Sequence, residues 1–208
     1  MPPVGNDIVD LAEAENIGKS RDELFCRRVF NLEELSMIAG SVRPDSFLWG
    51  IWAAKEAAYK AISRSDPTVC SIPKKYPVII EAESVRGISI CLEGKVATPR
   101  GELTVNISMD EDMVYAVVTR TAEALRRVVS RVERVDPAKD DSSDILRKIL
   151  LEEIANRLGF RTGDLSIVKE KCGPGAPFII FRRNRLPAEI SLSHDGRFIA
   201  FAFDPETF

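Results

Sequence analysis

Apolar residues recur along this chain with two different periods. Spacing of three or four positions predicts helices, and alternation or short apolar runs predict strands. The clearest helical stretch is SFLWGIWAAKEAAYKAIS at 46–63, rich in alanine and aromatic residues and free of proline. Two shorter helices are expected at 20–30 and 31–39. The second opens with a capping box, Asn31 followed three positions on by Glu34. ILRKILLEEIANRL at 145–158 predicts another long helix, and AEALRRVVSRVERV at 122–135 also has helical spacing. Strands are expected at 4–11, in four runs between 78 and 119, and at 165–168, 178–181, 189–193 and 198–203. Asp195 and Gly196 form a good two-residue hairpin turn. The strand after them is apolar on both faces, which predicts a central, buried position.

The order helix, strands, terminal hairpin occurs twice, which suggests an internal repeat. VNISMDEDMVYAVV at 105–118 aligns with EISLSHDGRFIAFAF at 189–203, setting Ser108 against Ser193 and Met109 against His194. The polar stretch DPAKDDSSD at 136–144 is the best boundary. The expected fold class is α+β. It has two similar halves, each a long helix on a three-stranded, mainly antiparallel sheet. The halves are residues 1–121 and 145–208, joined by a linker at 122–144.

Composition narrows the function classes. The 208 residues are 45% hydrophobic and 29% charged, which is globular, and the formal charge of −3 argues against general nucleic-acid or anionic-membrane binding. No run approaches the ~18 apolar residues of a membrane span, and the first residues lack a basic-then-apolar signal pattern. Cys26, Cys70, Cys91 and Cys172 show no paired spacing, so zinc or CxxC redox chemistry is not expected, and free thiols fit a cytoplasmic chain. A single histidine, His194, closes off histidine-rich metal chemistry.

Several residues are able to carry chemistry. Asp7 and Asp10 follow a glycine in GNDIVD and could present oxygens to a hard cation such as Mg²⁺; ordinary turn acids would read the same way. Trp52, Glu56 and Lys60 share one helical face. Glu and Lys four apart are a common surface pair, but the neighbouring alanines and tryptophan leave little solvated surface for one. His194, after Ser193 at the end of a strand, suits either a phosphate contact or a plain turn histidine. CGPGAP at 172–177 lacks the lysine and hydroxyl of a P-loop and reads as a structural turn. The Arg27–Arg28 and Arg182–Arg183 pairs are anion contacts or simply solvated.

Together these pieces resemble a 4′-phosphopantetheinyl transferase. GNDIVDL is similar to the first acidic motif of the holo-acyl-carrier-protein synthase type, Gly-x-Asp-Ile-Val-Glu. FCRRVFNLEEL at 25–35 resembles the stretch after that motif. WAAKEAAYK at 52–60 matches Trp-x-x-Lys-Glu-Ala-x-x-Lys at every specified position. The later residues, from DILRKILLEEIANRL to ISLSHDGRFIAFAF, resemble the amino-terminal half of the longer, surfactin-synthetase type, with the order of halves circularly permuted.

The resemblance implies transfer of phosphopantetheine from coenzyme A to a serine of an apo acyl or peptidyl carrier protein, leaving adenosine 3′,5′-bisphosphate. The carrier and its pathway, whether fatty-acid, polyketide or peptide synthesis, stay open. It implies Mg²⁺ on Asp7 and Glu56, with Asp10 as a third acid, Glu56 as base and Lys60 at the phosphates. It implies Ser193, His194 and Arg147 at the coenzyme A 3′-phosphate. It also implies a monomeric pseudo-dimer with a cleft between Glu56 and the Ser193–His194 hairpin, and a second site lost where Met109 replaces histidine. Ala176 stands where the family has a loop lysine. Two other readings remain: a non-catalytic coenzyme A or carrier-protein binding module with the same fold, and another magnesium-dependent phosphotransferase.

Overall fold

The computed structural model describes residues 3–139, 141–169 and 177–208. Residues 170–176 of the glycine–proline loop therefore lie outside the described residues.

The first layer is a five-stranded antiparallel sheet. It contains β1 (Gly5–Asp10), β2 (Val78–Arg86), β3 (Ser89–Thr98), β4 (Gly101–Met109) and β5 (Met113–Thr119), in the order β1-β5-β4-β3-β2. Five strands replace the expected three, because the runs between 78 and 119 all join one sheet beside β1. Across its face lies α3 (Pro44–Ser63), preceded by α1 (Glu23–Val29) and α2 (Leu32–Gly40). The capping box at Asn31 forms as expected. The core between sheet and helix is made of Leu48, Ile51, Ala54, Ala58, Leu92, Val105 and Ile107, all fully buried. The alanines of α3 let the helix sit close. A Cβ at Gly5 would collide with the carbonyl oxygen of Ala57, so only glycine allows β1 to pass under α3 there.

The remaining elements are α4 (Ala122–Arg127), β6 (Val129–Arg134), α5 (Ser142–Leu158), β7 (Leu165–Lys169), β8 (Pro177–Phe181), β9 (Asn184–Arg185), β10 (Ile190–Asp195) and β11 (Phe198–Phe203). They build two three-stranded sheets, β10-β11-β6 and β7-β8-β9. Every residue of β11 is buried, and it is the middle strand of its sheet. α5 packs over this side through Leu146, Leu150 and Ile154.

Two segments differ from the sequence pattern. The stretch 122–135 is helical only to Arg127, and Val129–Arg134 is a strand paired antiparallel with β11. The stretch expected as linker thus carries a sheet strand. In addition, β10 runs through Asp195, so the hairpin turn is Gly196 and Arg197, with Gly196 at φ +48°.

A third apolar cluster joins the two sides. Val4, Ile8, Tyr115 and Val117 from the first sheet meet Phe198, Ala200 and Ala202 from β11. β10 runs beside the free edge of β1, and its side chains replace missing ladder partners. The Asn6 N–H donates to Ser191 Oγ at 2.9 Å and the Asp10 N–H to Asp195 Oδ2 at 2.8 Å. Among the described residues no helix is long and apolar enough to cross a membrane.

Candidate active site

Strand alternation decides what β1 offers to each side. Val4, Asn6, Ile8 and Asp10 fall on one side and meet β10 and β11. Asp7 falls on the other, toward α3. On α3 the stripe Trp52, Glu56, Lys60 is its partly exposed edge, while Ala53, Ala54, Ala57 and Ala58 are buried. The two elements thereby bring Asp7 and Lys60 into contact. Lys60 Nζ donates to Asp7 Oδ1 at 2.7 Å and to the Asn6 carbonyl at 3.2 Å.

Asp7 opens onto a cleft of about 450 Å³, while Lys60 supports it from behind and does not line the cleft itself. Asp7, Trp52 and Glu56 line it from the first side, and His194 and Asp195 from the second. Glu56 accepts a hydrogen bond from Ser71 Oγ at 3.2 Å. Trp49 donates through Nε1 to the Asn16 carbonyl at 2.9 Å, which fixes the wall made by residues 15 and 16.

Burial governs the electrostatics of the acids at this cleft, whose wall also carries Lys19. Burial pushes the Asp7 carboxyl up, opposed by the Lys60 cation. Burial also raises Glu56, and the Asp7 charge adds to it. Asp195 is raised by burial despite its hydrogen bond from the Asp10 N–H. Acids held this way favour an added cation at their mouth.

The other expected site residues have varied surroundings. Asp10 is three positions from Asp7, an odd step, so a strand turns it to the opposite face. Its carboxylate accepts from Arg197 Nε at 2.8 Å, from an Arg197 terminal nitrogen at 2.6 Å and from the Arg197 N–H at 2.8 Å. Those bonds hold its pKa down at about 2 against the opposing effect of burial. Asp10 joins the two sides and does not line the cleft. Ser193 is buried and accepts from Asn6 Nδ2 at 3.0 Å, while His194, the next residue, is exposed at the cleft. Arg147 pairs with Asp144 at 3.1 Å in the first turn of α5 and is not among the cleft residues. Arg182 pairs with Asp164 at 3.0 Å, also away from the cleft.

The two lysines of WAAKEAAYK have different surroundings. Lys55 is 1% exposed and donates to Glu34 Oε1 at 2.6 Å and to the carbonyls of Pro73 and Tyr76. Glu34 also caps α2 and accepts from the Val78 N–H. Lys55 therefore ties α2, α3 and the start of β2 together, and only Lys60 reaches the acids of the cleft. Asn6 and Arg197 were not singled out by the sequence, and Asp195 only as a turn residue. The alternation of β1 and β10 is the signal that places them, once the two strands are known to be neighbours.

Among the described residues no group of three His, Cys, Asp or Glu side chains stands ready to enclose a metal. The donor set still fits a hard dication. Mg²⁺ is commonly held by one or two carboxylates with substrate phosphates and water supplying the rest, and Asp7 and Glu56 are two carboxylates on one cleft.

The family model of the 4′-phosphopantetheinyl transferase superfamily matches residues 3–92. A holo-[acyl-carrier-protein] synthase of Campylobacter curvus (strain 525.92) is 30% identical over 116 residues, covering 55% of this chain and 96% of the relative. One from Hydrogenovibrio crunogenus (strain DSM 25203 / XCL-2) is 29% identical over 126 residues, covering 58% of this chain and 95% of the relative. The crystal structure of Thermotoga maritima holo-[acyl-carrier-protein] synthase aligns over 89% of this chain and 86% of that one, at 17% identity and a TM-score of 0.40. That structural likeness is too weak to place the chain. The sequence matches are stronger, because the family match includes β1 and α3, which hold Asp7, Glu56 and Lys60. On that match, and on a relative aligned over almost its whole length, the chain belongs to the 4′-phosphopantetheinyl transferase superfamily.

Proposed function

We propose that this protein transfers the 4′-phosphopantetheine group from coenzyme A to a serine hydroxyl of an apo carrier protein. One observation carries the reading: Asp7 and Glu56 of one side and His194 of the other line a single cleft. The products are holo carrier protein and adenosine 3′,5′-bisphosphate. Transfer at a diphosphate needs charge neutralised, the nucleophile aligned and a proton removed. Asp7 and Glu56 would hold Mg²⁺, which when bound would supply charge neutralisation for the transfer. Lys60 adds a fixed positive charge beside Asp7. Glu56, raised by burial and by its acidic neighbour, is suited to take the serine proton at its carboxylate. His194 donates to the 3′-phosphate at the rim. Arg147 joins it on the resemblance alone, since it pairs with Asp144 and is not a cleft residue.

The architecture is read as a pseudo-dimer. The order β1-β5-β4 beneath α3 repeats as β6-β11-β10 beneath α5, which supports two related halves meeting at the cleft. The second half then begins at β6, inside the stretch the sequence pattern suggested was linker. Met109, matched to His194 in the hairpin alignment, is 3% exposed, and its sulfur lies where a Cβ on Gly50 would be crowded. A buried thioether offers a phosphate nothing. One coenzyme A per chain is therefore expected.

The test is incubation of the protein with coenzyme A, Mg²⁺ and a panel of apo acyl and peptidyl carrier proteins, read by intact mass. Gain of one phosphopantetheine group by a carrier supports the reading. Binding of coenzyme A without any gain across the panel would reduce the chain to a binding module.

A further inference from the structure

We infer that Asn6 is a positioning residue: its buried side chain holds Ser193, and with it the strand that carries His194, at a fixed place relative to Asp7. The inference rests on the proposed transfer reaction and adds a residue to it.

Asn6 is fully buried, in the middle of the apolar contact between the two sides. Packing alone would favour an aliphatic residue, as at Val4 and Ile8 in the same row. A buried amide is costly unless its hydrogen bonds are met; here Nδ2 has Ser193 Oγ, and the side chain also interacts with the buried Tyr115 hydroxyl. What the side-chain amide provides is one bond across the contact, Nδ2 to Ser193 Oγ at 3.0 Å; the backbone N–H, to Ser191 Oγ at 2.9 Å, and the backbone carbonyl, from Lys60 Nζ at 3.2 Å, add anchors that any residue at this position would keep. The next residue along β1 is Asp7, and the next along β10 is His194. One residue thus sets the separation between the acids that meet the diphosphate and the imidazole that meets the 3′-phosphate. A ligand that spans both groups gains from a separation fixed in advance.

Substituting Asn6 should therefore alter discrimination more than chemistry. The experiment is steady-state kinetics with coenzyme A and dephospho-coenzyme A, on one apo carrier protein, for wild type, Asn6→Leu, Ser193→Ala, the double variant and Val117→Ala. Thermal melting is recorded for each. In Asn6→Leu the wild-type preference for coenzyme A should fall roughly tenfold, the size of one lost hydrogen bond to a charged ligand. The change should appear in KM for coenzyme A, with kcat on dephospho-coenzyme A retained. Ser193→Ala should act alike, and the double variant should lose no more than either single one. If Asn6→Leu fails to fold, Asn6→Ala, which also removes the Nδ2 donor, carries the same comparison. Val117, in the same apolar contact, should lower the melting temperature on truncation and leave the preference intact. An Asn6→Leu that melts lower yet keeps the wild-type preference overturns the positioning role. So does a Val117→Ala that loses the preference equally, since general loosening would then explain both. A wild-type chain that transfers nothing from coenzyme A overturns the function itself, and the positioning role with it.

Discussion

Asp10 and Arg197, 187 positions apart in sequence, are joined by three hydrogen bonds, two from the guanidinium and one from the Arg197 backbone. The carboxylate is 1% exposed and the arginine 25%. Gly196, in the left-handed region at φ +48°, turns the chain so that Arg197 reaches it. A Cβ at Gly196 would crowd Asp10 and Glu13. The tip of the β10–β11 hairpin is thereby fastened to the end of β1.

Breaking that fastening should cost stability first. Asp10→Asn removes the charge that Arg197 answers, and Arg197→Ala strands a buried carboxylate; the second should cost roughly 3 kcal/mol in urea unfolding. Because the folded pKa of Asp10 lies below its ordinary value of 3.8, at about 2, its contribution is complete above pH 4. It should disappear as the pH falls from about 3.8 toward 2, amounting to roughly 2 kcal/mol. Equal acid sensitivity in wild type and Asp10→Asn would contradict this account.

Glu56→Gln should separate activity from stability in opposite directions. Burial and Asp7 raise the pKa of Glu56 in the folded protein, so its ionised form opposes folding at neutral pH. The amide should melt at a higher temperature than wild type near pH 7, and the gain should vanish near pH 4. Turnover should drop by at least about a hundredfold, the usual scale of a lost general base. Added Mg²⁺ should raise the melting temperature of wild type more than that of the amide. A Glu56→Gln enzyme with wild-type rates at saturating Mg²⁺ would remove Glu56 from the reaction.

The lysines of WAAKEAAYK should part company in the same way. Lys55→Ala leaves Glu34 buried without its cation and should cost about 3–5 kcal/mol. Lys55→Met with Glu34→Gln should recover only part of it: the buried charge is gone, but the Asn31 and Val78 N–H groups donate to different carboxylate oxygens and glutamine keeps one of the two. Lys60→Met should fold well and lose most of its rate. Denaturant midpoints and initial rates on the same preparations decide the matter.

His194→Ala should raise KM for coenzyme A by roughly ten- to a hundredfold, the loss of one charge-assisted bond, and change dephospho-coenzyme A much less. Met109→Ala should affect packing only. Calorimetric titration should give one coenzyme A per chain; two equivalent sites would show that the half containing Met109 also binds.

The acidic and lysine motifs are legible because their spacing is specific and because they sit on a strand and a helix with strong patterns. The ends of α2 are equally plain, since Asn31 and Glu34 announce a cap in any context. β6 is not. VVSRVERV satisfies a helical period as well as an extended one, and what decides is pairing with β11, which lies some 70 residues further along. Asp10 departs from its expected place for a simpler reason: on a strand, residues three apart face opposite ways. The hairpin turn lies one residue later than expected because Gly196, and not Asp195, takes the left-handed conformation.

The contact between Asn6 and Ser193 also has a consequence for synthesis. β1 leaves the ribosome long before the strands that cover it, since Asn6 and its partner Ser191 are 185 positions apart. Until residues 190–203 are made, Val4, Ile8, Tyr115 and Val117 form an uncovered apolar face on an otherwise complete five-stranded unit. Such a face is prone to stick to the same face of another nascent chain. The cleft is therefore a product of late closure, and translation of the β10–β11 hairpin is the step at which a half-built molecule either completes its site or aggregates.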